Sequence, residues 1–127
     1  VPIFEKELKE NFASNILKAN LDYLKSEYNV QAMPRDINLF EYKNGDRIRI
    51  DKVDHTLIEN LKSYPEFFSP NVILRPLMQQ TALPSIANIG GGAEVSYWLE
   101  LKPIFESAKI DYATAPVVAF QTFFAFA

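Results

Sequence analysis

Three consecutive glycines, Gly90–Gly92, stand between a short apolar run and a stretch of helical spacing. Such a turn lets a strand pass directly into a helix. Ser85–Ile89 reads as the strand, Ala93 onward as the helix, and Pro116–Phe124, rich in Val and Phe, as a second strand. Strand, helix, strand is the unit of a parallel sheet, so the two strands are expected to lie parallel, joined by a right-handed crossover. Pro103 falls inside the intervening helix and is expected to kink it.

The rest of the chain reads as helices and one hairpin. Phe4, Leu8, Phe12, Ile16, Leu17, Leu21, Leu24 and Tyr28 recur at three- and four-residue steps, which predicts one amphipathic helix over Phe4–Tyr28, stopped at Asn29. Val30–Met33 reads as a short strand, with Met33 held extended by Pro34. Ile37–Tyr42 and Arg47–Ile50 flank Lys43-Asn44-Gly45-Asp46, and Asn-Gly is a favoured two-residue hairpin loop. A hairpin over Asn38–Ile50 follows. Asp54 is placed to cap a helix over His55–Tyr64 that Pro65 ends. Ser69-Pro70 reads as a further helix start, for a helix from Asn71 to about Ala82 that Pro76 bends. The whole is an α/β chain: a partial Rossmann-like open sheet with flanking helices and an inserted β-hairpin. Residues 1–68 hold the amphipathic helix and hairpin insert, and residues 69–127 the helix, strand, glycine turn, helix and strand.

Composition excludes several function classes. A net charge of −3 gives no electrostatic footprint for nucleic acid or an anionic membrane. No window is apolar for long enough to span a bilayer. Val1–Glu10 mixes acidic and basic residues, unlike a signal peptide. The absence of Cys removes disulfides, thiolate metal sites and a cysteine nucleophile, and it fits a reducing cytosol. No metal site is expected.

In an open α/β sheet, ligands collect where strand ends meet helix starts. Gly90–Gly92 sits at such a place, and helix-start amides bind anions. The nucleotide fingerprints are incomplete, however. A dinucleotide turn needs G-x-G-x-x-G, and a P-loop needs Gly-Lys-Ser/Thr. Glu94, in the first helical turn, would repel a phosphate bound at the same amides. It serves either as an electrostatic cap or as a contact for an amine or a sugar hydroxyl. Tyr97 and Trp98, on the same side of that helix, serve as core or as pocket wall.

Three segments together are more specific. "RDINLFEYKNGDRIRI", "FSPNVILRPLMQQTALPSIANIGGG" and "AEVSYWLELKPIFES", followed by "PVV", resemble in order the bacillithiol-biosynthesis cysteine-adding enzymes. The shared positions are Arg35, Asp36, Asn38 and Phe40, then Ser69, Asn71, Arg75, Pro76 and Gln79, then Gly90, Gly91, Glu94, Tyr97, Trp98 and Lys102. Many members carry Pro where this chain has Gly92. The resemblance covers Arg35 to about Val118 and, more loosely, the first helix. It implies a cytoplasmic ligase that joins cysteine to glucosaminyl-malate. It also implies a parent protein several times longer, of which this chain is an internal part, with a homodimer formed through a coiled coil. The sequence assigns no cofactor, with ATP or ADP as the candidates; ATP-dependent activation is the natural chemical expectation, since amide formation in water needs a leaving group on the acyl carbon.

Glucosaminyl-malate carries carboxylates, an amine and hydroxyls, and candidate roles follow from that chemistry. Arg75 suits a carboxylate, or else forms a structural ion pair. Asn71 and Gln79, four residues to either side, line the same wall or satisfy loop backbone. Glu94 orients the amine and takes its proton. Gly90 and Gly91 offer backbone donors, and Tyr97 and Trp98 form the wall. Lys102 and His55 read as surface residues, and Arg35 and Asp36 as turn or ion-pair residues. Two other classes compete with this one. The first is a nucleotide- or sugar-phosphate-binding module without chemistry of its own. The second is an interaction domain whose first helix packs on a partner.

Overall fold

Asn11 divides the expected N-terminal helix in two. In the computed structural model, which describes residues 1–26, 29–30, 32–112 and 116–118, α1 (Pro2–Glu10) and α2 (Phe12–Leu24) meet at Asn11 in the left-handed conformation, φ 48°, ψ 45°. Asn tolerates that geometry better than other non-glycine residues. The apolar periodicity runs through the break because both helices bury the same kind of face: Phe4, Leu8, Phe12, Leu17 and Leu21 are all in the core. Tyr28, expected in this helix, lies outside the described residues.

Two expectations in the next stretch are corrected. The described residues of Val30–Met33 form no strand, whereas the hairpin stands. β1 (Leu39–Lys43) and β2 (Asp46–Arg49) pair antiparallel with Lys43 opposite Asp46, leaving Asn44-Gly45 as the loop. Both loop residues have positive φ, 54° and 87°, as the twist of a two-residue hairpin demands. α3 (His55–Ser63) is capped as expected, with Asp54 Oδ1 accepting from the Leu57 N–H at 2.7 Å.

Ser69-Pro70 does not start a helix. After a short 3-10 turn at Pro65–Phe67, Phe68–Pro70 forms β3 on the free side of β1, giving the antiparallel order β2-β1-β3. Proline is tolerated there because β3 is an edge strand. The helix α4 begins only at Arg75 and ends at Ala82. Pro76 therefore sits in its first turn, where its missing N–H has no helical partner to lose, and it initiates the helix instead of bending it.

The glycine turn joins a strand to a helix as expected, but the strand is shorter and shifted: of Ser85–Ile89 only Asn88 and Ile89 lie in it, and Gly90 and Gly92 belong to the strand and the helix. β4 (Asn88–Gly90) enters α5 (Gly92–Ala108), and β5 (Pro116–Val118) returns parallel to β4, with Ile89 opposite Val117. The remainder of the expected terminal strand, 119–124, lies outside the described residues. α5 contains Pro103 and runs unbroken to Lys109, which takes the left-handed conformation at its end.

α1 packs on α3, and α2 on α5. The apolar faces of the first two helices are thus covered within the chain. Leu17, Leu39, Leu61, Leu77, Leu101 and Phe105 are among the most deeply buried side chains. Below the glycine turn, Trp98, Phe105 and Tyr112 form an aromatic cluster with ring centroids 5.1–5.8 Å apart. No described helix is long and apolar enough to cross a membrane.

Candidate functional site

Three elements converge on one cavity of about 230 Å³. The first turns of α4 supply Arg75 and Gln79, the end of β4 supplies Gly90, and the first two turns of α5 supply Glu94, Tyr97 and Trp98. Six of the eight sequence-predicted site residues therefore share one concavity. Asn71 and Gly91 do not line it.

Glu94 and the glycines are mechanically coupled. Glu94 Oε2 accepts from the Gly91 N–H at 3.2 Å. This is one half of a capping box, because Gly91 has no side chain to return the bond. The Gly91 amide is thus occupied by the chain's own carboxylate. Gly91 has φ −71° and ψ 169°, an ordinary extended geometry. Gly90 is the constrained glycine: a β-carbon there would stand 3.1 Å from both Cβ and Oε2 of Glu94.

Arg75 is exposed, and its Nη2 makes a long contact of 3.4 Å with Tyr97 Oη. It does not pair with Glu94, and among the described residues no arginine joins an ion pair. The cavity therefore presents one cation and one carboxylate that do not pair with each other. Tyr97 and Trp98 are 9% and 7% exposed and serve as both core and wall. Trp98 is held from below, where Tyr112 Oη donates to its carbonyl at 2.9 Å. Burial pushes the Tyr112 phenol above its ordinary pKa.

A buried polar chain positions Arg75, and its role was not visible in the sequence. Glu7, fully buried on α1, accepts from the Asn38 N–H at 2.9 Å, from Asn38 Nδ2 at 2.8 Å and from the Ala13 N–H at 2.8 Å. Asn38 Oδ1 accepts from Asn71 Nδ2 at 2.8 Å, and its carbonyl accepts from the Asn71 N–H at 2.9 Å. Asn71 Oδ1 then accepts from the Ile73 N–H at 2.9 Å, while its carbonyl accepts from the Arg75 N–H at 2.9 Å. Asn71 thus satisfies loop backbone and sets where α4 begins. The one available signal was a glutamate on the apolar face of the first helix, three residues from Phe4 and next to Leu8.

Gln79 lines the cavity, while its neighbour Gln80 is buried and ties α4 to the next segment through Ser85. Lys102 lies at the surface 3.8 Å from Glu106, and His55 lies at the surface 3.5 Å from Glu59, as expected. Arg35 and Asp36 flank the β1 entrance, where Asn38 Oδ1 accepts from the Arg35 N–H. Among the described residues no cluster of His, Cys, Asp or Glu could hold a metal ion.

The family model described as "Bacillithiol biosynthesis BshC, N-terminal Rossmann-like domain" matches residues 1–119. Three relatives each bear the name "Putative cysteine ligase BshC". That of Flavobacterium johnsoniae is 40% identical over 126 residues, covering 88% of this chain and 24% of the relative. That of Cytophaga hutchinsonii is 42% identical over 118 residues, covering 81% and 23%. That of Christiangramia forsetii is 38% identical over 127 residues, covering 88% and 24%. The chain spans about a quarter of the length of these relatives.

Proposed function

The chain belongs to the BshC family of bacillithiol biosynthesis, matching its N-terminal Rossmann-like domain, and from that premise we propose that it forms part of the substrate cavity of a cysteine ligase. The substrate in this reading is glucosaminyl-malate, to whose amine cysteine is added. The observation that carries it is the unpaired presence of Arg75 and Glu94 in one cavity. A substrate with both carboxylates and an amine needs a cation and an anion held apart, since a pair that neutralised itself would bind neither.

Arg75 receives a malate carboxylate through its guanidinium fork, with Tyr97 Oη beside it. Glu94 orients the amine. The amine nitrogen forms the new bond to the activated cysteine acyl carbon, the bond from that carbon to its leaving group breaks, and the amine proton passes to Glu94. ATP is the expected source of that leaving group. Gln79 offers an amide to the sugar hydroxyls, and Trp98 closes the wall. The Gly91 N–H serves Glu94 first, so the turn positions the base. Cytoplasmic location and a homodimer through a coiled coil elsewhere in the protein belong to the same reading.

The competing module reading places a phosphate at the glycine turn, and the Glu94–Gly91 bond disfavours it. In the full chain, Arg75→Ala and Glu94→Gln should each depress thiol formation from cysteine, ATP and glucosaminyl-malate while the fold is retained. Wild-type turnover in both variants would remove these residues from the site.

A further inference from the structure

Gln79 and Gln80 are successive residues in the last turn of α4, yet they face different surroundings. Gln79 lines the cavity with Arg75 and Glu94, whereas Gln80 is buried and makes three hydrogen bonds to a single residue, Ser85. From these bonds we propose that Gln80 is a positioning residue for the cavity. It clamps the chain that returns from α4 to β4, and so sets the gap between the wall that carries Arg75 and the wall that carries Gly90 and Glu94. The proposal rests on the reading of that cavity as a substrate site given above.

Gln80 Oε1 accepts from the Ser85 N–H at 3.2 Å and from Ser85 Oγ at 2.8 Å, while Nε2 donates to the Ser85 carbonyl at 2.9 Å. The side-chain amide thus meets both backbone groups of Ser85, as a residue on a neighbouring strand would. Three bonds to one residue fix its orientation as well as its distance. Burial raises what is at stake. Gln80 is 5% exposed, so an amide deprived of these partners stays largely out of water and costs the fold its full desolvation penalty.

The clamp acts on the cavity through a short connection. The cavity lies in the seam between α4, which gives Arg75, Pro76 and Gln79, and β4, which gives Asn88, Ile89 and Gly90. Ser85 is three residues ahead of Asn88, the first residue of β4. Three residues span at most about 10 Å even when fully extended, so a shift at Ser85 reaches β4 with little slack. Beyond β4, the Gly91 N–H is held by Glu94 Oε2. The strand is therefore tethered on both sides, to α4 through Gln80 and to α5 through Glu94.

The chemistry of the clamp ranks its variants. Gln80→Ala removes all three bonds. Gln80→Glu keeps the shape and one acceptor, but sets a second oxygen against the Ser85 carbonyl where Nε2 donated. Ser85→Ala removes only the bond from Oγ and keeps the two to backbone. In each variant Arg75 and Glu94 remain, and each still meets its own part of the substrate. What loosens is their joint alignment on one molecule, a loss that falls on kcat more than on KM.

Amide hydrogen exchange and steady-state kinetics on the full-length protein test this together. Gln80→Ala and Gln80→Glu should raise exchange over 86–91 by about tenfold or more, with β1 and β2 unchanged. Their kcat with glucosaminyl-malate, per folded molecule, should fall by about tenfold or more with KM less changed, since a misplacement of about 1 Å costs on the order of 100-fold. Ser85→Ala should move both readouts less, and Lys102→Ala neither. In an Arg75→Ala background, Gln80→Ala should add little further loss, because the spacing it sets no longer matters. Gln80→Glu and Ser85→Ala keep the test readable if Gln80→Ala does not fold. Unchanged exchange over 86–91 in the Gln80 variants would overturn the clamp. Raised exchange with wild-type kcat, or a loss fully additive with that of Arg75→Ala, would overturn the positioning role and leave the substrate reading standing. Wild-type turnover in Arg75→Ala and Glu94→Gln would instead remove the substrate reading and the positioning role with it, while exchange still reports on the clamp.

Discussion

Glu94 folds its carboxylate back over Gly90, so that a β-carbon at Gly90 would meet Oε2 at 3.1 Å. The glycine run is therefore not uniform. Only its first member is held by a close approach, and none of the three has positive φ.

Gly90→Ala should displace Glu94 from the Gly91 amide and cost about 1 kcal/mol, the magnitude of a lost helix cap. Gly92→Ala meets nothing within 4 Å and should stabilise by about 0.5 kcal/mol through the unfolded chain. Urea unfolding of the two variants checks the contrast. Equal effects at both positions would refute the packing account.

Glu7 and Asn38 should behave as one unit. Glu7→Ala strands three buried donors, and Asn38→Ala removes one of those bonds, that from Nδ2, together with the bonds its Oδ1 accepts from the Arg35 N–H and Asn71 Nδ2. Each should cost about 3 kcal/mol. Because the bond from Asn38 Nδ2 to Glu7 Oε1 is lost in either case, the double variant should fall short of the sum. Additive losses in a double-mutant cycle would separate the two residues.

Tyr112 should make stability fall in alkali. Its folded-state pKa lies above the ordinary value near 10 because burial disfavours the phenolate. The neutral phenol is thus favoured by folding. The associated stability is fully present below about pH 10 and is lost as pH rises through the folded pKa. Tyr112→Phe removes the bond to the Trp98 carbonyl and should cost about 1 kcal/mol at neutral pH. It should also flatten the alkaline loss from this group. Thermal melts across pH 7–11, a range chosen around the ordinary pKa of roughly 10, check both effects.

Arg75→Lys separates charge from geometry in the proposed substrate cavity. A lysine keeps the positive charge and loses the fork, so KM for glucosaminyl-malate should rise by about tenfold with kcat less affected. An unchanged KM would place the malate carboxylates elsewhere.

Local chemistry in the sequence determined the elements whose hydrogen bonds close over a few residues. Asn44-Gly45 specifies its loop because few other residue pairs adopt two successive positive φ values. Asp54 specifies the start of α3 because its acceptor is three residues away in Leu57. The glycine turn from strand to helix around Gly90 was readable for the same reason, and six of the residues singled out in the sequence line one cavity beside it. Only the tertiary structure decided the rest. Ser69-Pro70 became a strand edge because β1 offered unpaired backbone groups, and no local preference encodes that offer. Asn71 came to set the start of α4 because Asn38, 33 residues away, and Glu7, a further 31 residues from Asn38, complete its network. The four arginines, dispersed over 41 positions from Arg35 to Arg75, share a cavity for the same reason. A pattern read along the chain registers spacing, while charge and hydrogen-bond complementarity between distant segments exists only once they have met.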